Sequence, residues 1–355
     1  MKRRIFCGLA AAWMGWAAAA TMQADRVDRL VQAQLEEKHI PGLALAVVRD
    51  GRIAKARGYG WANLEWRVPA TAQTVFEIGS VTKQFTAALV MMLAEEGRVR
   101  LDDPVTRFFT NAPPIWEGIT VRHLLTHTSG LRNYTGLPGF EVTRGLTRED
   151  FVRTLGAYPL EARPGDRYAY CNSGYNLLGY IIEEAGGAPY WQAFESRICR
   201  PHGMAETRSR DLRALIPRRA DGYERKDDRW INRDSDLTEI FSAGAVASTV
   251  LDLARWAIAL ETGSVLSESS RNDMWAPTRL NDGGEKLYGL GWGVDPHGGR
   301  RNIGHSGSTS GFSASLQWFP DDRLWVIVLC NLDGQGLATQ IALEIADRFL
   351  PASSR

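Results

Sequence analysis

The stretch Phe76-Glu77-Ile78-Gly79-Ser80-Val81-Thr82-Lys83-Gln84-Phe85-Thr86-Ala87 changes character at its fourth residue. Val75 to Ile78 is a short apolar run, and Gly79-Ser80 then opens a helical pattern over Val81 to Glu95 that Gly97 stops. Ser80 and Lys83 are three residues apart, which puts both side chains on one helix face within reach of each other. At the start of the helix, Ser80 sits at the positive end of the helix dipole, where developing negative charge is favoured. A serine hydroxyl is a weak nucleophile and needs a base. A lysine can serve if burial or a second cation lowers its pKa until it is neutral near pH 7. With 6 Lys against 36 Arg in the chain, the pairing is unlike the background composition. An N-cap serine followed by a solvated lysine has the same spacing, so the surrounding sequence must decide.

Outward from this segment, strand signals gather at both ends of the chain. Leu43 to Val48, the turn Asp50-Gly51 and Ile53 to Tyr59 read as a hairpin. Phe312 to Phe319 and Leu324 to Leu329 flank Pro320-Asp321-Asp322 and read as a second. Helical spacing covers Val27 to Glu37, Leu251 to Leu260 and Ala338 to Phe349. Residues 100–240 are richer in Pro, Gly and short helical patterns, at Val121 to Leu125, Arg148 to Leu155, Tyr175 to Glu184 and Tyr190 to Ile198. The expected class is α+β. A mostly antiparallel sheet, flanked by helices, is built from both chain ends (about 25–98 and 241–350), and a helical subdomain lies in the middle (about 99–240).

The 355 residues are 44% apolar and 23% charged, which excludes disorder, collagen and a polytopic membrane protein as whole-chain readings. Lys+Arg is 42 and Asp+Glu 41, so no charge excess points to nucleic acid. Residues 1–24 combine Lys2-Arg3-Arg4, an apolar run from Ile5 to Ala20 and the small residues Ala17 to Ala20. They read as an export signal, cut after Ala20 or Ala24, with an uncleaved N-terminal anchor as the alternative. A periplasmic or secreted protein without strong membrane association is expected after its removal. The remaining Cys171, Cys199 and Cys330 are odd in number and form no Cys-x-x-Cys pair, so buried thiols are expected, with a Cys199–Cys330 bridge left open. His123 and His127 are four apart, but Leu124 follows the first, so the zinc-protease pattern is missing and no metal is expected. No serine lies in a Gly-x-Ser-x-Gly elbow. Trp61, Trp66 and Trp292 are read as packing residues.

Residues 76–87 resemble the nucleophile segment of the serine β-lactamase and penicillin-binding-protein superfamily. The likeness is to the branch holding class C enzymes, D-Ala-D-Ala carboxypeptidases, esterases and D-amino-acid peptidases. Further segments resemble family signatures in family order: Ile119 to Leu131, Pro164-Gly165-Asp166, Tyr170-Cys171-Asn172, Gly289 to Gly293 and Gly304-His305-Ser306-Gly307. The resemblance runs from about Val27 to Phe349. It implies a β-lactamase/transpeptidase-like fold, Ser80 as nucleophile, and Lys83 with Tyr170 as proton carriers. It implies that Asn172 holds a substrate amide or the lysine, and that His305, Ser306, Gly307 and Ser308 line the site on an edge strand. The backbone N–H groups of Ser80 and Ser308 would form an oxyanion hole. No cofactor is implied.

His305 departs from the class C pattern, which has Lys there. An ordinary imidazole, with a pKa of about 6.5, is mostly neutral at pH 7. Attraction for a substrate carboxylate is therefore expected to be weaker and pH-dependent. The expected function is an exported serine hydrolase that forms an acyl-enzyme on a small-molecule or peptide ester, amide or D-peptide bond. The alternatives are a class C-like β-lactamase, or a penicillin-binding D-Ala-D-Ala carboxypeptidase that acylates and turns over slowly.

Overall fold

Strand Gly42–Arg49 is buried along nearly its whole length because both of its faces are covered. Side chains alternate between faces with period two. Ala44, Ala46 and Val48 enter one hydrophobic core, and Leu43, Leu45 and Val47 enter a second on the other side of the sheet. Its partner Leu324–Cys330 divides likewise, with Trp325, Ile327 and Leu329 on the first side and Val326, Val328 and Cys330 on the second. The near-continuous apolar runs seen in the sequence have this cause. The computed structural model from which this is read describes residues 26–138, 147–211, 213–233 and 237–351. The leader expected at 1–24 lies outside them.

The sheet has six strands, in the order Ile303–Thr309, Phe312–Phe319, Leu324–Cys330, Gly42–Arg49, Arg52–Asn63 and Val68–Pro69. Every neighbouring pair is antiparallel, so the two chain ends meet in one sheet at the pairing of Gly42–Arg49 with Leu324–Cys330. At the first hairpin Asp50 and Gly51 both have positive φ, the twist-matching geometry of a two-residue turn. Helices Thr82–Glu95, Asn172–Gly186 and Val250–Thr262 supply the first core. Residues 26–37 and helix Leu337–Ala346 cover the other face. The expected α+β architecture is present. No described helix is long and apolar enough to cross a membrane.

The middle of the chain is less purely helical than its sequence suggested. Phe76–Glu77, Val246–Ser248 and Arg208–Ser209 form a small sheet, and Tyr223–Lys226 pairs with Arg229–Asn232. Strands of two to four residues are too short to show a period, and in the small sheet their partners lie far away in sequence. The thiols are free: Cys199 lies in the first core and Cys330 in the second, on opposite sides of the sheet, which closes the question of a bridge between them. Trp292 is fully buried as expected, but Trp66 is 82% and Trp61 41% exposed at the far sheet edge, where they do not pack into a core.

Candidate active site

Ser80 lies in a 3-10 turn, Gly79–Val81, that runs directly into helix Thr82–Glu95. Eleven residues of that helix are buried, Lys83 among them, because it threads the first core instead of lying on its surface. Lys83 has no solvent exposure. Its Nζ donates to Ser80 Oγ at 3.0 Å, to Asn172 Oδ1 at 2.8 Å and to the Ala243 carbonyl at 2.7 Å. Three acceptors match its three donors. Burial is the largest influence on the amine and brings its pKa down to about 7. Of the two roles expected for Asn172, the structure shows the hold on the lysine.

Tyr170 lines the same cleft as Ser80, and the Lys83 ammonium sits 4.8 Å from the centre of its ring. Burial pushes the phenol well above its ordinary value, although 38% of the residue is exposed to the cleft and water there moderates the effect. At ordinary pH it is a neutral phenol that can pass a proton. Ser80 and Lys83 are thus brought together with Tyr170 and Asn172 from two separate segments.

The edge strand Ile303–Thr309 closes against the Gly79–Val81 turn. A Cβ on Gly307 would lie 1.9 Å from the Ile78 carbonyl oxygen, and one on Gly79, where φ is +50°, 2.7 Å from the Ser308 nitrogen. Glycine at both positions permits this approach. Gly304 exchanges backbone hydrogen bonds with Gly293 on the outer side of the strand. Alternation therefore turns the amides of Ser306 and Ser308 outward too, away from Phe312–Phe319. Ser308 N–H faces the Gly79–Ser80 turn, in position to join Ser80 N–H around a developing oxyanion.

Beneath this contact lies an ion pair that the sequence did not disclose. Glu77 accepts from Arg210 Nε at 2.7 Å, with both side chains almost wholly buried, and from Thr309 Oγ1 at 2.8 Å. This carboxylate, three residues before Ser80, ties the start of that segment to the end of the edge strand.

His305 differs from expectation. Its Nδ1 is 2.6 Å from the Ser306 carbonyl and so carries the ring proton. Its Nε2 accepts from Tyr288 Oη at 2.9 Å. Tyr288 Oη in turn accepts from His127 Nε2 at 3.2 Å, because His127 Nδ1 already takes the Cys171 N–H at 3.1 Å. Burial, reinforced by the charge of Lys83, lowers the His305 pKa to about 3. The imidazole is neutral throughout the ordinary pH range, so the expected pH-dependent attraction for a carboxylate is corrected. Both ring nitrogens are engaged within the protein, although the residue lines the cleft.

His123 and His127 do not converge on a metal position. His123 Nδ1 accepts the Thr120 N–H in a capping box, while His127 faces Tyr288. Among the described residues no group of His, Cys, Asp and Glu could hold a metal ion. Cys171 is a buried thiol directed at the Leu131 carbonyl. The sequence reading missed Tyr288, His127 and Tyr168 as site residues, although Tyr168 and Tyr288 line the cleft. His127 stands inside the quoted segment Ile119 to Leu131, while Tyr168 and Tyr288 stand beside quoted motifs.

The chain matches the Beta-lactamase family over residues 27–348. It belongs to that family. A penicillin-binding protein of Bacillus subtilis (strain 168) is 31% identical over 336 residues, covering 89% of this chain and 74% of the relative. The octameric penicillin-binding protein homologue from Pyrococcus abyssi superposes with a TM-score of 0.80 at 29% identity, covering 91% of this chain and 76% of that one. The D-amino acid amidase from Ochrobactrum anthropi SV3, complexed with L-phenylalanine amide, does so with 0.77 at 25%, covering 91% and 96%. This Beta-lactamase family member is therefore a serine hydrolase by kinship, in a family with penicillin-binding and amidase relatives.

Proposed function

We propose that the chain is an exported acyl-transfer hydrolase, residues 25–350 after a leader at 1–24, acting on small-molecule or peptide ester, amide or D-peptide bonds. The observation that carries this reading is the fully buried Lys83 amine, 3.0 Å from Ser80 Oγ with a pKa near 7. It is a base available at neutral pH beside the nucleophile. Ser80 Oγ attacks the acyl carbonyl as its proton moves to Lys83, and the Ser80 and Ser308 amides receive the oxyanion. The proton returns through Tyr170 to the leaving group, and water then releases the acyl-enzyme. The sheet-bearing parts, about 25–98 and 241–350, supply the nucleophile turn and edge strand; the part at about 99–240 supplies Tyr170 and Asn172. The chemistry requires no cofactor and no nucleic acid.

The amidase relative supports an amide-cleaving member, and the neutral His305 supplies no fixed charge for a substrate carboxylate. The penicillin-binding relative favours the second reading, slow-turnover acylation by β-lactams, with class C-like β-lactam hydrolysis as its fast limit. Side-by-side turnover of a chromogenic cephalosporin and a p-nitrophenyl ester, with Ser80→Ala as blank, separates them. Ester turnover with a negligible lactam rate supports the first. Stoichiometric labelling or rapid lactam turnover supports the second, and activity retained in Ser80→Ala removes both.

A further inference from the structure

The cleft that holds Ser80 has a volume of about 590 Å³ and runs along the edge strand toward helix Leu337–Ala346. Its lining is largely neutral and hydrogen-bonding: Asn302, Gln317, Gln335 and Thr339 lie along its length. Among the described lining residues, Asp295 is the only Asp, Glu, Lys or Arg. His297 also lines the cleft, and its Nε2 is engaged by Asp347 at 2.9 Å.

Asp295 is at the leaving-group end. Tyr170, which returns the proton to the departing atom, marks that side of the scissile bond. Beyond Tyr170 the wall continues through Tyr168, whose phenol is pushed up to about 12 by burial and by the charge of Asp295. Asp295 Oδ2 would be 3.4 Å from a Cβ on Gly293, and Gly293 is hydrogen-bonded to Gly304. Gly304 and Ser308 are four strand residues apart, about 13 Å at roughly 3.3 Å per residue. The carboxylate thus stands roughly that far from the oxyanion position, well beyond the first bonds of a leaving group.

We propose that Asp295 selects substrates whose leaving group carries a cation at its far end, such as a primary ammonium on an extended chain. The inference rests on the hydrolase reading of the same cleft. The ammonium takes no part in the bond changes: the Ser80 Oγ–acyl bond forms, the bond to the leaving oxygen or nitrogen breaks, and the proton from Ser80 ends on that atom. A carboxylate at the same place in the leaving group would meet Asp295 as a like charge.

The test uses the mature protein and two esters matched in shape, aminooctyl butyrate and hydroxyoctyl butyrate, each read as a competitor of p-nitrophenyl butyrate turnover. The amino ester should compete roughly five-fold better, the scale of one close ion pair in water, and the ratio should shrink as salt is raised. Asp295→Asn should bring the ratio to about one, and Asp295→Lys should invert it. A ratio near one in the wild type, a ratio unchanged in Asp295→Asn, or no competition by either ester overturns the inference while leaving the hydrolase reading intact. Failure of p-nitrophenyl butyrate turnover to exceed the Ser80→Ala blank overturns the reading, and the inference with it.

Discussion

The Tyr288 hydroxyl donates to His305 Nε2 at 2.9 Å, and together with burial and the charge of Lys83 this bond favours the neutral imidazole on the edge strand beside Ser80. With Nδ1 committed to the Ser306 carbonyl, protonating Nε2 would set an N–H against the Tyr288 O–H and a cation near Lys83. A histidine where class C enzymes have lysine is thus, in this fold, a neutral hydrogen-bonding group.

The imidazole signals of His305 in NMR spectra should accordingly stay unchanged from pH 8 to about 4. A titration midpoint near 6.5 would contradict the bonding described. The linked effect on stability has a definite sign. The folded pKa of about 3 lies below the ordinary 6.5, so the unfolded chain binds the extra proton between them. This contribution to stability is full above about pH 6.5 and is lost as pH falls toward about 3.

Lys83 sets the other pH dependence. Its base form is populated above a pKa of about 7, so kcat/KM for an uncharged ester should rise through pH 7 and level off above it. Lys83→Ala should lower kcat/KM roughly 100- to 10,000-fold, the usual span for a general base. A flat profile from pH 5 to 9 in the wild type would show that the proton leaves Ser80 by another route.

Gly307→Ala should separate the edge strand from the nucleophile turn, since the new Cβ would overlap the Ile78 carbonyl oxygen at 1.9 Å. Loss of one aligned oxyanion donor typically costs roughly 100- to 1,000-fold in rate. Single-turnover release of p-nitrophenol measures the acylation step directly. A wild-type burst rate in this variant would mean that the Ser308 amide is not part of the oxyanion hole.

The Glu77–Arg210 pair is buried, so removing one partner leaves an uncompensated charge in the interior. Arg210→Met should destabilise the protein by about 3–5 kcal/mol in urea unfolding. Glu77→Leu combined with Arg210→Met should recover a substantial part of that loss, because neither charge remains. A double-variant loss equal to the sum of the Glu77→Leu and Arg210→Met losses would show that the two residues act independently.

Much of the sheet was legible because its signals are local. The alternation that divides Leu43–Val48 between two cores, the Asp50-Gly51 turn and the second hairpin each operate within a few residues. The short strands Phe76–Glu77, Val246–Ser248 and Arg208–Ser209 were not legible, since each owes its conformation to partners more than thirty residues away. The same distinction divides the site. Ser80 and Lys83 lie one helical turn apart and could be paired from spacing alone, whereas Tyr288 becomes a site residue only where His127 and His305 converge on it.

The sequence by itself determined the covalent inventory: a serine and a lysine three residues apart, a Tyr-x-Asn segment, and glycines where two backbones must nearly touch. Tertiary structure alone decided the protonation states and the charge of the cleft. Burial in a helix-lined core lowers Lys83, burial near the charge of Lys83 keeps His305 neutral with Tyr288 bonded to its Nε2, and the path of the edge strand leaves Asp295 as the only Asp, Glu, Lys or Arg among the described lining residues. The physical reason is that helix and strand periodicity act over a few residues. Desolvation and hydrogen bonding depend on whatever groups the fold brings within a few ångströms, however far apart they stand in the chain.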